Sequence, residues 1–244
     1  MRARYDQIGE RYEEYANAAT MKVAERYMFL ELVGALSGER VLDVACGTGY
    51  YTRILKQLGA GSVIGSDISA EMIRLAREEE AVRPLGIDYC IADGADLPDL
   101  APCDLVTGVW LLNYAGSVTN LRRLVRDVHA RLRPGGRFVS VTINPDYDLT
   151  HANMTKYGIQ VLSDDPTGDP PKLVGRFMMD PPSEPVVVDH WSRDVYERAF
   201  REAGFTSLDW EPYRLPADLL AEHGEPYWHD LLDNGLPIAM VARA

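Results

Sequence analysis

Val41-Leu42-Asp43-Val44-Ala45-Cys46-Gly47-Thr48-Gly49 is the stretch whose reading decides the fold. The apolar run with β-branched Val41 and Val44 reads as a short buried strand. It gives way to Cys46-Gly47-Thr48-Gly49 and then to residues 50–58, an amphipathic helical pattern closed by Gly59. A glycine turn between strand and helix is how an open α/β sheet makes room for a nucleotide, because a side chain there would block the ligand. The next residues decide which nucleotide. A dinucleotide fingerprint needs a third glycine where the helix opens, to bring its N-terminus onto a pyrophosphate. Tyr50, Tyr51 and Thr52 stand there instead, and no Gly-Lys-Ser/Thr follows to form a phosphate loop. What remains suits an adenosyl ligand without phosphates.

Working outward, three more strands end at the same edge. Residues 62–65 lead to Asp67 and Ile68, about 18 positions beyond Gly49, where an acidic side chain accepts both ribose hydroxyls. Ser69 is already a good cap for a helix over 70–80, which leaves Asp67 free for that role. Met72, in the first turn of this helix, suits the core or an adenine wall equally. Residues 86–91 alternate like a third strand and end at Asp93-Gly94-Ala95. Asp93 reads either as a turn aspartate before glycine or as an acceptor for an adenine amine. The fourth strand, 104–110, passes Val109 and delivers Trp110, Asn113 and Tyr114 to the place where cofactor and acceptor should meet.

A helix is expected over 22–36, with Val23, Tyr27, Leu30 and Val33 on its buried face. Another is expected over 117–132, with Val118, Leu121, Val125, Val128 and Leu132 on one stripe and His129 off it at the surface. Arg133-Pro134-Gly135-Gly136 reads as a tight turn into a fifth strand over 137–143. The pattern then dissolves until about His190, with six of the 15 prolines between Pro166 and Pro185. Such a stretch is an insertion covering the acceptor side or a disordered spacer. A capped helix starts at Ser192, strands lie near 205–210 and 236–242, and one or two short helices fill 216–234.

The chain of 244 residues is 46% hydrophobic and 25% charged, as expected of a folded enzyme rather than a disordered chain. A net charge of −12 opposes a nucleic-acid partner, which would need a basic surface. Cys46, Cys90 and Cys103 are odd in number and form no C-x-x-C pair, which points to a reduced cytoplasmic protein with no metal. No run is long enough to cross a membrane.

Asp43-Val44-Ala45-Cys46-Gly47-Thr48-Gly49, with Asp67 and Asp93 downstream and Leu132-Arg133-Pro134-Gly135-Gly136, resembles the class I S-adenosylmethionine-dependent methyltransferases. Tyr5-Asp6-Gln7-Ile8-Gly9, Leu111-Leu112-Asn113-Tyr114-Ala115 and Thr155-Lys156-Tyr157-Gly158 narrow the resemblance to the toxoflavin synthase-like methyltransferases of natural-product pathways. Trp191-Ser192, Tyr196-Glu197, Ala203-Gly204-Phe205 and Tyr227-Trp228 extend it over nearly the whole length. The resemblance implies a Rossmann-like, mostly parallel seven-stranded sheet with an antiparallel last strand, helices on both faces, an N-terminal helical lid and an insertion after the fifth strand. It divides one methyltransferase domain into a lid (1–36), a cofactor core (37–143), an acceptor-side insertion (144–190) and the rest of the sheet (191–244).

The same resemblance implies S-adenosylmethionine bound by Tyr5, Tyr12, Asp43, Ala45, Cys46, Gly47, Gly49, Asp67, Ile68, Met72, Asp93, Gly94, Ala95 and Val109. It places Trp110, Asn113, Tyr114 and Tyr157 in the acceptor pocket. The expected reaction is methyl transfer to a small, often heterocyclic acceptor, chiefly on nitrogen, with oxygen or carbon as alternatives, as in antibiotic biosynthesis. S-adenosylhomocysteine is the expected product, and a monomer or homodimer the expected state. Tyr114, His151, Tyr157 and His190 are candidate bases; spacing singles out none, so no catalytic residue is assigned. Non-methylating adenosyl chemistry, a regulatory module of the same fold and an NAD-dependent oxidoreductase are the competing readings.

Overall fold

The computed structural model describes Tyr15 and residues 19–151 and 153–244. The expected helix over 5–17 lies outside the described residues except for Tyr15. In chain order come α1 (Thr20–Val33), β1 (Arg40–Val44), α2 (Tyr50–Gln57), β2 (Ser62–Asp67), α3 (Ala70–Val82), β3 (Asp88–Ile91) and β4 (Cys103–Val109). They are followed by α4 (Val118–Ala130), β5 (Leu132–Ile143), β6 (Ile159–Asp165), β7 (Lys172–Phe177), β8 (Val186–Asp189), α5 (Arg193–Ala203), β9 (Ser207–Glu211), α6 (Ala217–His223), α7 (Glu225–Asn234) and β10 (Pro237–Arg243).

Seven strands form one sheet in the order β3-β2-β1-β4-β5-β10-β9. β1 pairs in parallel with both β2 and β4, and β5 continues the parallel run. β10, last in the chain, runs antiparallel to β5 and to β9, so the reversed strand lies one in from the edge. The alternation along β1 explains its apolar reading. Val41 enters a core layer with Leu55, Ile73 and Val139. Leu42 and Val44 enter the layer holding Leu121, Val125 and Phe200. A central parallel strand is buried on both faces, so it needs apolar residues at successive positions.

Of the two expected caps, Ser69 Oγ accepts from Met72 N at 3.2 Å, whereas Ser192 precedes α5 without a side-chain capping bond; Ser117 Oγ, not expected as a cap, accepts from Asn120 N at 3.2 Å. Three further expectations are corrected. α1 starts two residues early and, of the expected face, buries only Val33; Val23, Tyr27 and Leu30 are half-buried, while Met21, Ala24, Glu25, Met28 and Phe29 are buried. Glu25 faces inward, bonded to Lys22 on α1 itself and to Tyr51 and Trp110 beyond it. β5 begins at Leu132, before the Arg-Pro-Gly-Gly turn, because Cys103 pairs with Leu132 ahead of a register shift. His129 is half-buried, its ring edge-on to Phe205 at 4.8 Å.

The stretch without pattern is an antiparallel sheet, β6-β7-β8. Its two ends are joined: His190 Nε2 donates to the carbonyl of Asn144 at 3.0 Å. Asp189, 2% exposed, accepts from Gly116 N at 2.6 Å and from the Lys172 ammonium, which ties the small sheet to the loop after β4. Tyr15 reaches the same region, donating from its hydroxyl to Gly158 O at 2.9 Å and meeting Phe177 at 5.2 Å.

Candidate active site

The glycine turn is shaped by backbone constraints. Ala45 has φ 59°, an uncommon left-handed conformation for a residue with a side chain. Gly49 has φ 88°, and a Cβ there would lie 2.4 Å from the Tyr89 hydroxyl oxygen, so any other residue would be strained and would have to displace the Tyr89 ring. Asp67 fixes the turn from the neighbouring strand. One of its oxygens accepts from Gly47 N at 2.9 Å and the other from Ser69 N at 2.8 Å. The expectation of an uncommitted Asp67 is therefore corrected: Ser69 caps the helix, and the carboxylate is still drawn into both turns.

Asp43 sits beneath, 2% exposed, with one oxygen accepting from Thr52 Oγ1 and the other from Thr107 Oγ1, both at 2.7 Å. Burial pushes its carboxyl up to about 6. Its visible role is a pillar joining β1, α2 and β4. Cys46 is buried, and burial pushes its thiol well up, which makes it packing rather than a nucleophile. Ile68 is 52% exposed beside Asp67, whereas Met72 is buried. Asp93 is exposed; its Oδ1 accepts from Ala95 N at 2.9 Å, the turn geometry. Gly94 faces Val44 and Leu111, and Ala95 is buried. Val109 is half-buried at the end of β4. Tyr5 and Tyr12 lie outside the described residues.

At the end of β4 the chain turns sharply, with Trp110 at φ 60°. The indole is pinned: Nε1 donates to Glu25 Oε2 at 2.8 Å. Glu25 is fully buried, and its other oxygen accepts from Lys22 Nζ at 2.6 Å and the Tyr51 hydroxyl at 2.8 Å. One carboxylate on α1 thus joins α2 to the strand end. Nothing in the residue order marks it as buried, because a glutamate between Lys22 and Arg26 reads as part of a solvated helix face.

Beyond Trp110 lies an open cleft of about 600 Å³. Met21, Trp110, Asn113, Tyr114 and Ile143 line one side; Val161, Leu173, Phe177, Val186 and Val188 of the small sheet line the other. The structure therefore brings Trp110, Asn113 and Tyr114 together. It does not bring Tyr157, which is corrected: this side chain is fully buried, stacked on Trp228 at 5.7 Å, and bonds through its hydroxyl to Tyr227 O and Leu231 N. His151 is exposed against Asp148, and His190 is committed to Asn144, so neither lines the cleft. Among the described residues no cluster has the donor set of a metal site, and no helix is long and apolar enough to cross a membrane.

A sheet of this order with one reversed strand, and a glycine turn at the end of its central strand, defines the class I S-adenosylmethionine-dependent methyltransferase fold. Residues 41–136 match the family model described as a methyltransferase domain. The chain is similar to a demethylmenaquinone methyltransferase of Symbiobacterium thermophilum, 27% identical over 227 residues, 86% of each chain. Among solved structures it is similar to an S-adenosylmethionine dependent methyltransferase from Mesorhizobium loti, with TM-score 0.64, 26% identity, and 94% of this chain and 100% of that one covered. The CcbJ methyltransferase from Streptomyces caelestis shares the fold, with TM-score 0.71 at 20% identity over 98% of this chain and 96% of that one. The chain is a methyltransferase that uses S-adenosylmethionine.

Proposed function

We propose that this chain methylates a small, largely apolar acceptor held in the cleft, a heterocyclic metabolite of the natural-product kind, on nitrogen. The observation that carries this reading is the position of the cleft: it opens at Trp110 and Tyr114, on the sheet edge where the glycine turn also lies. The relative from Symbiobacterium is a demethylmenaquinone methyltransferase, which also supports a small acceptor. The net charge of −12 disfavours nucleic acid.

The turn residues fit the cofactor. Gly47 has open space where a Cβ would stand, and exposed Ile68 offers an apolar face beside a carboxylate. An ionised carboxylate offers about four acceptor sites, so the backbone bonds of Asp67 are compatible with a ribose diol. Ala45, Cys46, Gly47 and Gly49 would seat the ligand, Asp67 its ribose, and Ile68, Met72, Asp93, Gly94, Ala95 and Val109 its adenine side. S-adenosylmethionine, when bound, supplies a methyl group already activated on a sulfonium.

The chain itself must orient the acceptor and exclude water. Fixing two reactants in line contributes roughly 7–11 kcal/mol. The cleft lining holds no carboxylate and no histidine among the described residues. An acceptor with its own lone pair, such as a ring nitrogen, needs no base there. Melting with S-adenosylhomocysteine or NAD tests the reading. At a hundred times its dissociation constant, S-adenosylhomocysteine adds about 2.7 kcal/mol, several degrees at this length. NAD gives no shift, and Asp67→Ala cuts the affinity for S-adenosylhomocysteine at least tenfold. Equal shifts with both ligands, or none with either, would overturn the assignment of the turn.

A further inference from the structure

The cleft is apolar except at a few points, and one of these has an unmade bond. Asn113, 1% exposed, lines the cleft, and its Nδ2 has no hydrogen-bond partner among the described residues. A buried amide N–H without a partner is costly, and native folds keep few of them. The rest of the amide is held. Thr142 Oγ1, on β5, donates to Asn113 Oδ1 at 3.5 Å. The hydroxyl of Tyr196, on α5, lies 3.0 Å from the same Thr142 oxygen. Thr142 has one proton to give, so Tyr196 donates to it, and burial pushes the Tyr196 phenol up, which keeps it protonated. A chain of hydroxyls from the far core layer thus fixes which end of the amide accepts and leaves the NH2 as its unbonded end.

We propose that Asn113 is a specificity-determining residue that selects acceptors carrying a carbonyl oxygen on the ring to be methylated. This rests on the reading of the cleft as the acceptor site. A site built to make a polar bond rejects analogues lacking the partner group more sharply than an apolar pocket rejects a change of size. The apolar walls hold a ring; the amide sets which ring.

The test uses the full chain, with 4-quinolone and its carbonyl-free analogue quinoline as probes, each titrated in the presence of saturating S-adenosylhomocysteine. The parent chain is expected to bind 4-quinolone at least tenfold more tightly than quinoline. Asn113→Leu brings that ratio to about one while its affinity for S-adenosylhomocysteine is unchanged. No preference in the parent chain, lack of binding included, or a preference that survives Asn113→Leu, overturns the proposal. Failure of the parent chain to bind S-adenosylhomocysteine would overturn the cofactor reading instead, so the two failures are told apart. Thermal melting gives a check that needs no acceptor: with Nδ2 unpaired, Asn113→Leu melts within about 4 °C of the parent, the shift that about 1 kcal/mol produces at this length. A larger fall would mean that the amide is already satisfied within the fold.

Discussion

At the glycine turn, Asp67 reaches Ser69 across two residues and Gly47 across 20. At the acceptor cleft, Glu25 reaches Trp110 across 85 residues and Asp189 reaches Gly116 across 73. The first region is a backbone conformation with a nearby carboxylate to hold it. The second exists only after α1, the end of β4 and the small sheet have come together. A local device can be read along the chain, whereas an assembled one depends on tertiary partners. On the function proposed above, the contrast also separates tasks: the turn would hold the cofactor and the cleft the acceptor.

The sharpest way to break the contrast is to remove the buried carboxylate on which the cleft side depends. Glu25→Ala takes the carboxylate away from the Lys22 ammonium and from the Tyr51 hydroxyl and Trp110 indole donors. Breaking a buried pair from one side costs about 3–5 kcal/mol, to be read from urea unfolding. A loss below about 1 kcal/mol would show that the end of β4 keeps its shape unaided.

Beneath the turn, the raised Asp43 carboxyl makes stability depend on pH. Its folded value of about 6 lies above its ordinary 3.8, chiefly through burial, with the Thr52 and Thr107 hydroxyls opposing and Asp67 adding to the rise. Between those values the folded chain holds more protons than the unfolded one. The contribution of Asp43 therefore falls as pH rises through that window, by on the order of 3 kcal/mol. Asp43→Asn, neutral throughout, should gain on the parent chain between pH 4 and pH 7 in denaturant melts. A constant difference between the two would show that the pillar titrates as an ordinary carboxylate. The smallest effect belongs to Tyr157→Phe. Losing its bonds to Tyr227 O and Leu231 N costs about 1–2 kcal/mol in the same melts and leaves acceptor affinity unchanged. A weaker acceptor affinity would return Tyr157 to the pocket.

The sheet and its edge were legible because glycines, caps and alternating apolar residues act over short range. Val41 to Val44, Gly47, Gly49 and Ser69 each take the conformation their local chemistry favours. Asp67 was placed correctly at its strand end but misread as uncommitted, since the backbone N–H of Gly47 is not visible as a donor from the residue letters. The inward face of α1 was missed because burying Glu25 makes sense only once Trp110 and Tyr51 are beside it. β6, β7 and β8 were missed for a related reason: Gln160, Ser163, Lys172 and Arg176 break the apolar alternation, and prolines at the turns mask the strand ends. Tyr157 drew attention as an aromatic in a loop, yet its environment is set by Trp228, far along the chain.

The bond between His190 and Asn144 closes the small sheet at its base. Such a closed neck makes the segment between them exchangeable: changes in loop length inside it cost little, since closure entropy grows only logarithmically with length. The neck leaves Gly47, Gly49 and Asp67 untouched, so on the proposed function a lineage could trade one acceptor for another without relearning how to hold its methyl donor. An engineer can do the same by grafting a foreign segment onto Asn144 and His190.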